Sequence, residues 1–438
     1  MRKIFFTLSF LVLFSLSFSQ DLIRAKQNVN FEQSDELQKL ELSEACSGNS
    51  TENSENQSPF EAVKGKKEDL SKRDAFSKHY INEDGSYTAL IGAGPIHYDN
   101  NGNWEDINHR IVETNDSDYK YANTTNVFES YFGTYLQNGI ISKTQEAKLI
   151  EFLNPKMYWE VNGQAVQLQT ADNVAVSVNE DKAIYKNIFG EISAEYTILT
   201  GKRELNYIIP SLQALGNIPN QAEYLVFVED IELPQNWTAS MEERGISIKN
   251  QFGENVYLYE NPHSTDAENI ELREENTIYE IHENGNIITV KTKVKANWIL
   301  SQERIFPVKV DPTVNALADA GRSVYSDGED EEAGYFGLVS DYWLQYYIKF
   351  NTSAIPNGST INSATGHVNF LYGTGKNPST RNWQFANSAD PTSSSGVPLY
   401  NSANLGYSDI VQVVGLGWRS SNLYNPEGNI YIQNSINN

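Results

Sequence analysis

The chain has 438 residues, a formal net charge of −24 and a single cysteine, Cys46. One cysteine excludes an intramolecular disulfide, so stability rests on packing. The acidic excess repels nucleic acid and anionic lipid, so neither is an expected partner.

The first expected element is a signal peptide over residues 1–19. Arg2 and Lys3 form a basic head, residues 4–18 are almost wholly apolar, and Ser17 and Ser19 supply the small residues ahead of a cleavage that would leave Gln20 first. The apolar run is short for a bilayer crossing. The protein is therefore expected outside the cell, with no transmembrane segment in the mature chain. Residues 20–75 read as a polar, largely disordered leader that includes CSGNSTENSENQSP at 46–59. Cys46, set in that stretch, is read as incidental.

Order is expected from about Phe76. The 25 Tyr, 19 Phe and 7 Trp, together with many β-branched residues, favour sheet over helix. Residues 142–152 are the best short helix candidate. Residues 185–199, 203–209 and 223–231 read as strands, and 245–248 pairs with 255–259. Residues 277–282 and 287–294 flank Glu283-Asn284-Gly285-Asn286, an alternating hairpin around an Asn-Gly turn. A strand ends at 305–310, and Asp311-Pro312-Thr313 marks a boundary. Beyond it, 342–350, 361–364 and 366–372 are strand-like, with a tight turn at Pro356-Asn357-Gly358-Ser359. The fold class is mainly β: an extended antiparallel β region over 76–313, then a β-sandwich over 314–438.

Three motifs occur in a fixed order. Asp84-Gly85, Pro95-Ile96-His97-Tyr98 and Gly102-Asn103-Trp104-Glu105-Asp106-Ile107 open the β region. Phe306-Pro307-Val308-Lys309-Val310-Asp311-Pro312-Thr313 closes it. Tyr347-Ile348-Lys349-Phe350 follows, with Ala354-Ile355-Pro356-Asn357-Gly358-Ser359-Thr360-Ile361 and Ala364. Over roughly 76–372 this resembles the DNRLRE domain and its upstream region in bacterial wall-associated and Rhs/teneurin-like secreted proteins. Ile348 and Lys349 replace the usual Leu and Arg, and the D-N-R-L-R-E string itself is absent. The resemblance implies a jelly-roll-like sandwich after residue 314, expected to be incomplete where the chain stops at Asn438. It also implies a noncatalytic role in architecture or surface binding.

Two constellations invite chemistry. Asp327, Glu329, Asp330, Glu331 and Glu332 place five carboxylates in six positions, and calcium is the cation such hard oxygens would hold. The spacing is not that of an EF-hand, and a solvated acidic loop is the plainer reading. Among the aromatics, Trp343, Tyr347 and Trp383 are the sugar-platform candidates. Alternation along 342–350 separates Trp343 and Tyr347 from the more apolar face of Tyr342, Leu344, Tyr346, Ile348 and Phe350. His97 and Trp104 are read as packing across a hairpin. None of the six histidines forms a metal-ligand pair, and no nucleophile elbow or P-loop is present. The expected function is that of an exported, non-enzymatic surface protein serving structural display or adhesion. The alternative is a polysaccharide-capturing carbohydrate-binding protein, and a polysaccharide hydrolase stands third.

Overall fold

In the computed structural model, the described residues are 58–315 (except 146, 243 and 268–275), 350, 352–370, Phe5–Val12, and short strands between 321 and 422. The fold is mainly β, built of several antiparallel sheets, and sandwich-like. Contacts divide the chain into two units. One is Asp106–Ala318; the other joins Met1–Glu105 to Asp319–Asn438.

The unit Asp106–Ala318 contains two sheets whose side chains interdigitate. In the first, Tyr224–Glu232 lies between Lys148–Val161 and Ile287–Lys295. Lys148–Val161 also pairs with Ile140–Lys143, which pairs with Glu129–Phe132. In the second, Lys202–Ile209 pairs along one side with Ile192–Leu199. Its other side pairs successively with Val308–Asp311 and Val314–Asn315. Val314–Asn315 leads on to Asn255–Glu260 and Gly245–Lys249.

Alternation dictates which residues meet between the sheets. Leu205 and Tyr207 of one sheet face Leu225 and Phe227 of the other in one buried cluster. Tyr207 stacks on Phe227 with centroids 4.1 Å apart. Tyr196 meets Phe132 and Phe152 edge-on or tilted. Burying rings of this size stabilises the sandwich by several kcal/mol each, at about 25 cal/mol per Å2 removed from water.

The hairpin expected around Gly285 is present: Thr277–Asn284 pairs with Ile287–Lys295 across a two-residue turn, with Gly285 at φ 68°. The segment 185–199 is itself a hairpin, Lys182–Phe189 with Ile192–Leu199, turning at Gly190 with φ 63°.

Two expectations are corrected. Residues 142–152 are not helical; they belong to Ile140–Lys143 and Lys148–Val161, joined by a tight turn. Leu149, Phe152 and Leu153 stand at helical spacing, but β-bulges produce it. The register to Tyr224–Glu232 shifts between Ile150 and Leu153 and again before Lys156, and Phe152 and Asn154 take positive φ of 57° and 49°. Order also begins ahead of Phe76. Val63 is buried, Lys67–Glu68 pairs with Ser77–Ile81, and Arg73 binds Glu68 at 2.6 Å, so the last part of the leader is folded.

In the other unit, Ser77–Ile81 and Tyr87–Gly92 form a hairpin. Gly85 turns it at φ 81°, and the Asp84 carboxylate accepts from the Ser86 amide at 2.9 Å. Phe5–Val12, the core of the expected signal peptide, lies parallel between Tyr87–Gly92 and Thr360–Phe370. Among the described residues no helix is long and apolar enough to cross a membrane.

Candidate functional site

Each strand at the centre of the sandwich has one polar residue where alternation calls for an apolar one. Ser130 sits between Phe128 and Phe132, Ser142 follows Ile140, and Glu151 follows Leu149. Glu229 sits between Phe227 and Ile231, and Arg203 precedes Leu205. The flanking residues belong to two distinct apolar clusters: Phe132, Ile140, Leu205 and Phe227 to one, Phe128, Leu149 and Ile231 to the other. The five polar residues form a layer separating the two halves of the core.

Arg203 spans the layer. It is 1% exposed. Its Nη1 donates to Ser130 Oγ at 3.1 Å and to Ser142 Oγ at 2.8 Å, and its Nη2 donates to Glu151 Oε2 at 2.5 Å. The guanidinium also lies over the rings of Phe128 and Tyr196, 5.7 and 5.6 Å from their centroids. Glu151 accepts further bonds from Ser142 Oγ and, at 2.7 Å, from the Tyr259 hydroxyl. Burial of two charges costs several kcal/mol per ion, and such a pair persists only when its hydrogen bonds are met in good geometry. The carboxylate meets that condition. Glu229 has no such set. Burial, with the Glu151 charge added, pushes its carboxyl up to about 8.

A second polar group lies on the opposite face of the same strand. Glu204 is 7% exposed and accepts from Asn206 Nδ2 at 2.6 Å. Asp311, in the neighbouring strand, is 3% exposed and accepts from Thr313 Oγ1. Half-exposed His263 lies 3.5 Å from Asp311, and Lys202 binds Glu260 at 2.5 Å beside them. Burial pushes Glu204 up to about 8, helped by the Asp311 charge, and pushes Asp311 up to about 7. These carboxyls exchange protons near neutral pH. Among the described residues no group of three or more His, Cys, Asp or Glu is placed to hold a metal ion.

The residues singled out from sequence lie elsewhere. Trp343 and Tyr347 belong to Tyr342–Ile348, where Trp343 is opposite Leu338 and Tyr347 opposite Arg322. Asp330 and Glu331 form a short strand paired with Ser323 and Val324. Trp383, Asp327, Glu329 and Glu332 lie outside the described residues. His97 is 1% exposed and bonded through Nδ1 to the Asp74 carbonyl at 2.6 Å, while Tyr98 donates to Glu105 at 2.9 Å across the turn. Sequence reasoning missed the polar layer. Its signal is a charged or hydroxyl residue in phase with the apolar positions of several separate strands.

Two curated proteins resemble the chain. One is the tRNA3(Ser)-specific nuclease WapA of Bacillus spizizenii, 21% identical over 282 residues. The alignment covers 61% of this chain and 11% of that protein. The other is the tRNA(Glu)-specific nuclease WapA of Bacillus subtilis subsp. natto, 23% identical over 275 residues, covering 58% and 11%. The chain thus spans about a ninth of the length of the relatives it matches. No family model matches the chain, and no solved structure matches it. The expectation of a non-enzymatic protein is corrected here, because both relatives are named as tRNA-specific nucleases. That expectation rested on the signal peptide, on the noncatalytic role implied by the resemblance and on missing catalytic motifs, and the names of the two relatives run against it.

Proposed function

We propose that this chain is the β-structured portion of an exported, surface-held protein of the tRNA-nuclease kind it resembles. Residues 106–318 act there as a framework that carries and presents the nucleolytic activity of the whole protein. The alignment carries this reading: well over half of this chain matches two tRNA-specific nucleases, yet only 11% of either is matched. The order of the upstream motifs, the Asp311-Pro312-Thr313 closure and the following DNRLRE-like segment support the wall-associated, Rhs-like character. The charge of −24 supports a framework that leaves RNA contact to other parts of the protein, since phosphate repels an acidic surface.

The test uses the complete product of the gene that encodes this chain. Recovered from the cell surface or the medium, it is expected to cleave purified tRNA. A complete product that stays inside the cell, or leaves tRNA intact, contradicts the reading.

A further inference from the structure

Beside the Arg203–Glu151 pair is a small gap lined by Glu151, Tyr196, Arg203, Leu205, Glu229 and Tyr259 and, from the neighbouring segment, by Pro312 and Val314. Every lining residue is buried. Arg203 Nε, buried there, makes no hydrogen bond. The Glu229 carboxyl and the Tyr196 hydroxyl belong to residues only 5% and 3% exposed and line the same gap. A buried polar group without a partner costs about 1–3 kcal/mol, so Arg203 Nε–H is a costly feature unless something in the gap bridges it.

We propose that this gap is the binding site of one ordered water molecule, which joins Glu229 to the Arg203–Glu151 pair. The gap is about large enough for a water molecule, and buried waters make about three hydrogen bonds to surrounding polar groups. The donor and acceptor count fits. Arg203 Nε–H and the Tyr196 hydroxyl supply two donors. The Glu229 carboxyl and the remaining lone pairs of Glu151 supply acceptors. The charge count fits a neutral ligand. Glu151 and Arg203 cancel, and Glu229 carries its proton at neutral pH, so no net charge is left for a cation to balance. The charged and titratable groups facing Glu229 are Glu151 and Arg203 across the sandwich, Asp230 beside it, and the hydroxyls of Tyr196, Tyr207 and Tyr259. The water extends the polar layer from five side chains into one continuous network across both sheets.

Diffraction to atomic detail on the full chain tests the site. Wild type is expected to show one water within hydrogen-bonding distance of Arg203 Nε and the Glu229 carboxyl. Glu229→Gln, neutral and isosteric, is expected to retain it, and Glu229→Leu to lose it. A dry gap in wild type overturns the proposal, as does a peak that grows with sodium or ammonium concentration. Water-17O relaxation dispersion gives an independent reading: wild type should exceed Glu229→Leu by one long-lived water, and equal amplitudes overturn the proposal. Should Glu229→Leu not fold, the wild-type and Glu229→Gln structures decide.

Discussion

Arg203 and Glu151 test how a sandwich tolerates charge in its middle. Removing one partner leaves the other buried and unpaired, so Arg203→Met is expected to destabilise the unit by about 3–5 kcal/mol. The double variant Arg203→Met with Glu151→Leu is expected to recover most of that loss, because it removes the desolvation cost together with the attraction. Urea unfolding of the two single variants and the double variant measures the coupling. Purely additive losses would show that the pair does not act as a unit.

Glu204, on the other face of the same strand, makes a pH prediction. Burial and the Asp311 charge raise its folded carboxyl to about 8, well above the ordinary 4.5 of a glutamate. The folded state therefore keeps a proton that the unfolded state releases. Stability from this group is complete below about pH 4 and is lost as pH rises to about 8. Buried His79 and half-buried His109, both lowered by desolvation, oppose this trend below about pH 6.5. Comparing Glu204→Gln with wild type isolates the carboxyl. The variant's relative stability should climb steadily from pH 4 to pH 8 and then level off, as read from melting temperatures across that range. A difference independent of pH would show that Glu204 titrates normally.

At the scale of the element, the long strand Lys148–Val161 carries the main irregularity. A bulky residue at φ 57° is strained by about 1–2 kcal/mol. The bulge that imposes this strain lets consecutive Glu151 and Phe152 both enter the core, one into the polar layer and the other against Tyr196 and Tyr207. Burial outweighs strain, so Phe152→Ala is expected to cost about 3–5 kcal/mol, the range for deleting a buried ring. Gly139 supports the same place. It has φ 68°, and a Cβ there would lie 2.7 Å from the Glu151 carbonyl oxygen. Gly139→Ala is therefore expected to lower the melting temperature and to speed amide exchange along Ile140–Lys143, detectable by hydrogen-exchange mass spectrometry. Unchanged exchange there would contradict the close approach.

This strand also shows why part of the fold was hidden in the sequence. The apolar run of Tyr224–Glu232, buried on both faces, and the alternating Gly285 hairpin are legible as strands. The bulges around Phe152 break the period of two and leave Leu149, Phe152 and Leu153 at the spacing of a helix face. The polar layer was hidden for a related reason. A lone Ser or Glu at an apolar position in one strand reads as noise, and only the pairing of Ser130, Ser142, Glu151, Arg203 and Glu229 across two sheets makes it a pattern. No local motif in these residues suggests a nuclease; only the similarity to proteins so named raises it.

At the scale of the whole molecule, the sandwich of the unit 106–318, its core divided by the polar layer, is proposed to serve an exported, surface-held protein. Phe5–Val12 sets a contrast that experiment resolves. As a signal peptide it leaves the mature chain; as the strand between Tyr87–Gly92 and Thr360–Phe370 it remains. Protease treatment of intact cells, with mass spectrometry of what is released, tests the central claim most directly. A protease-resistant fragment covering 106–318 is expected to be shed from unbroken cells, and the cell-made chain is expected to begin at Gln20. Release only after lysis, from a chain that still begins at Met1, would contradict it.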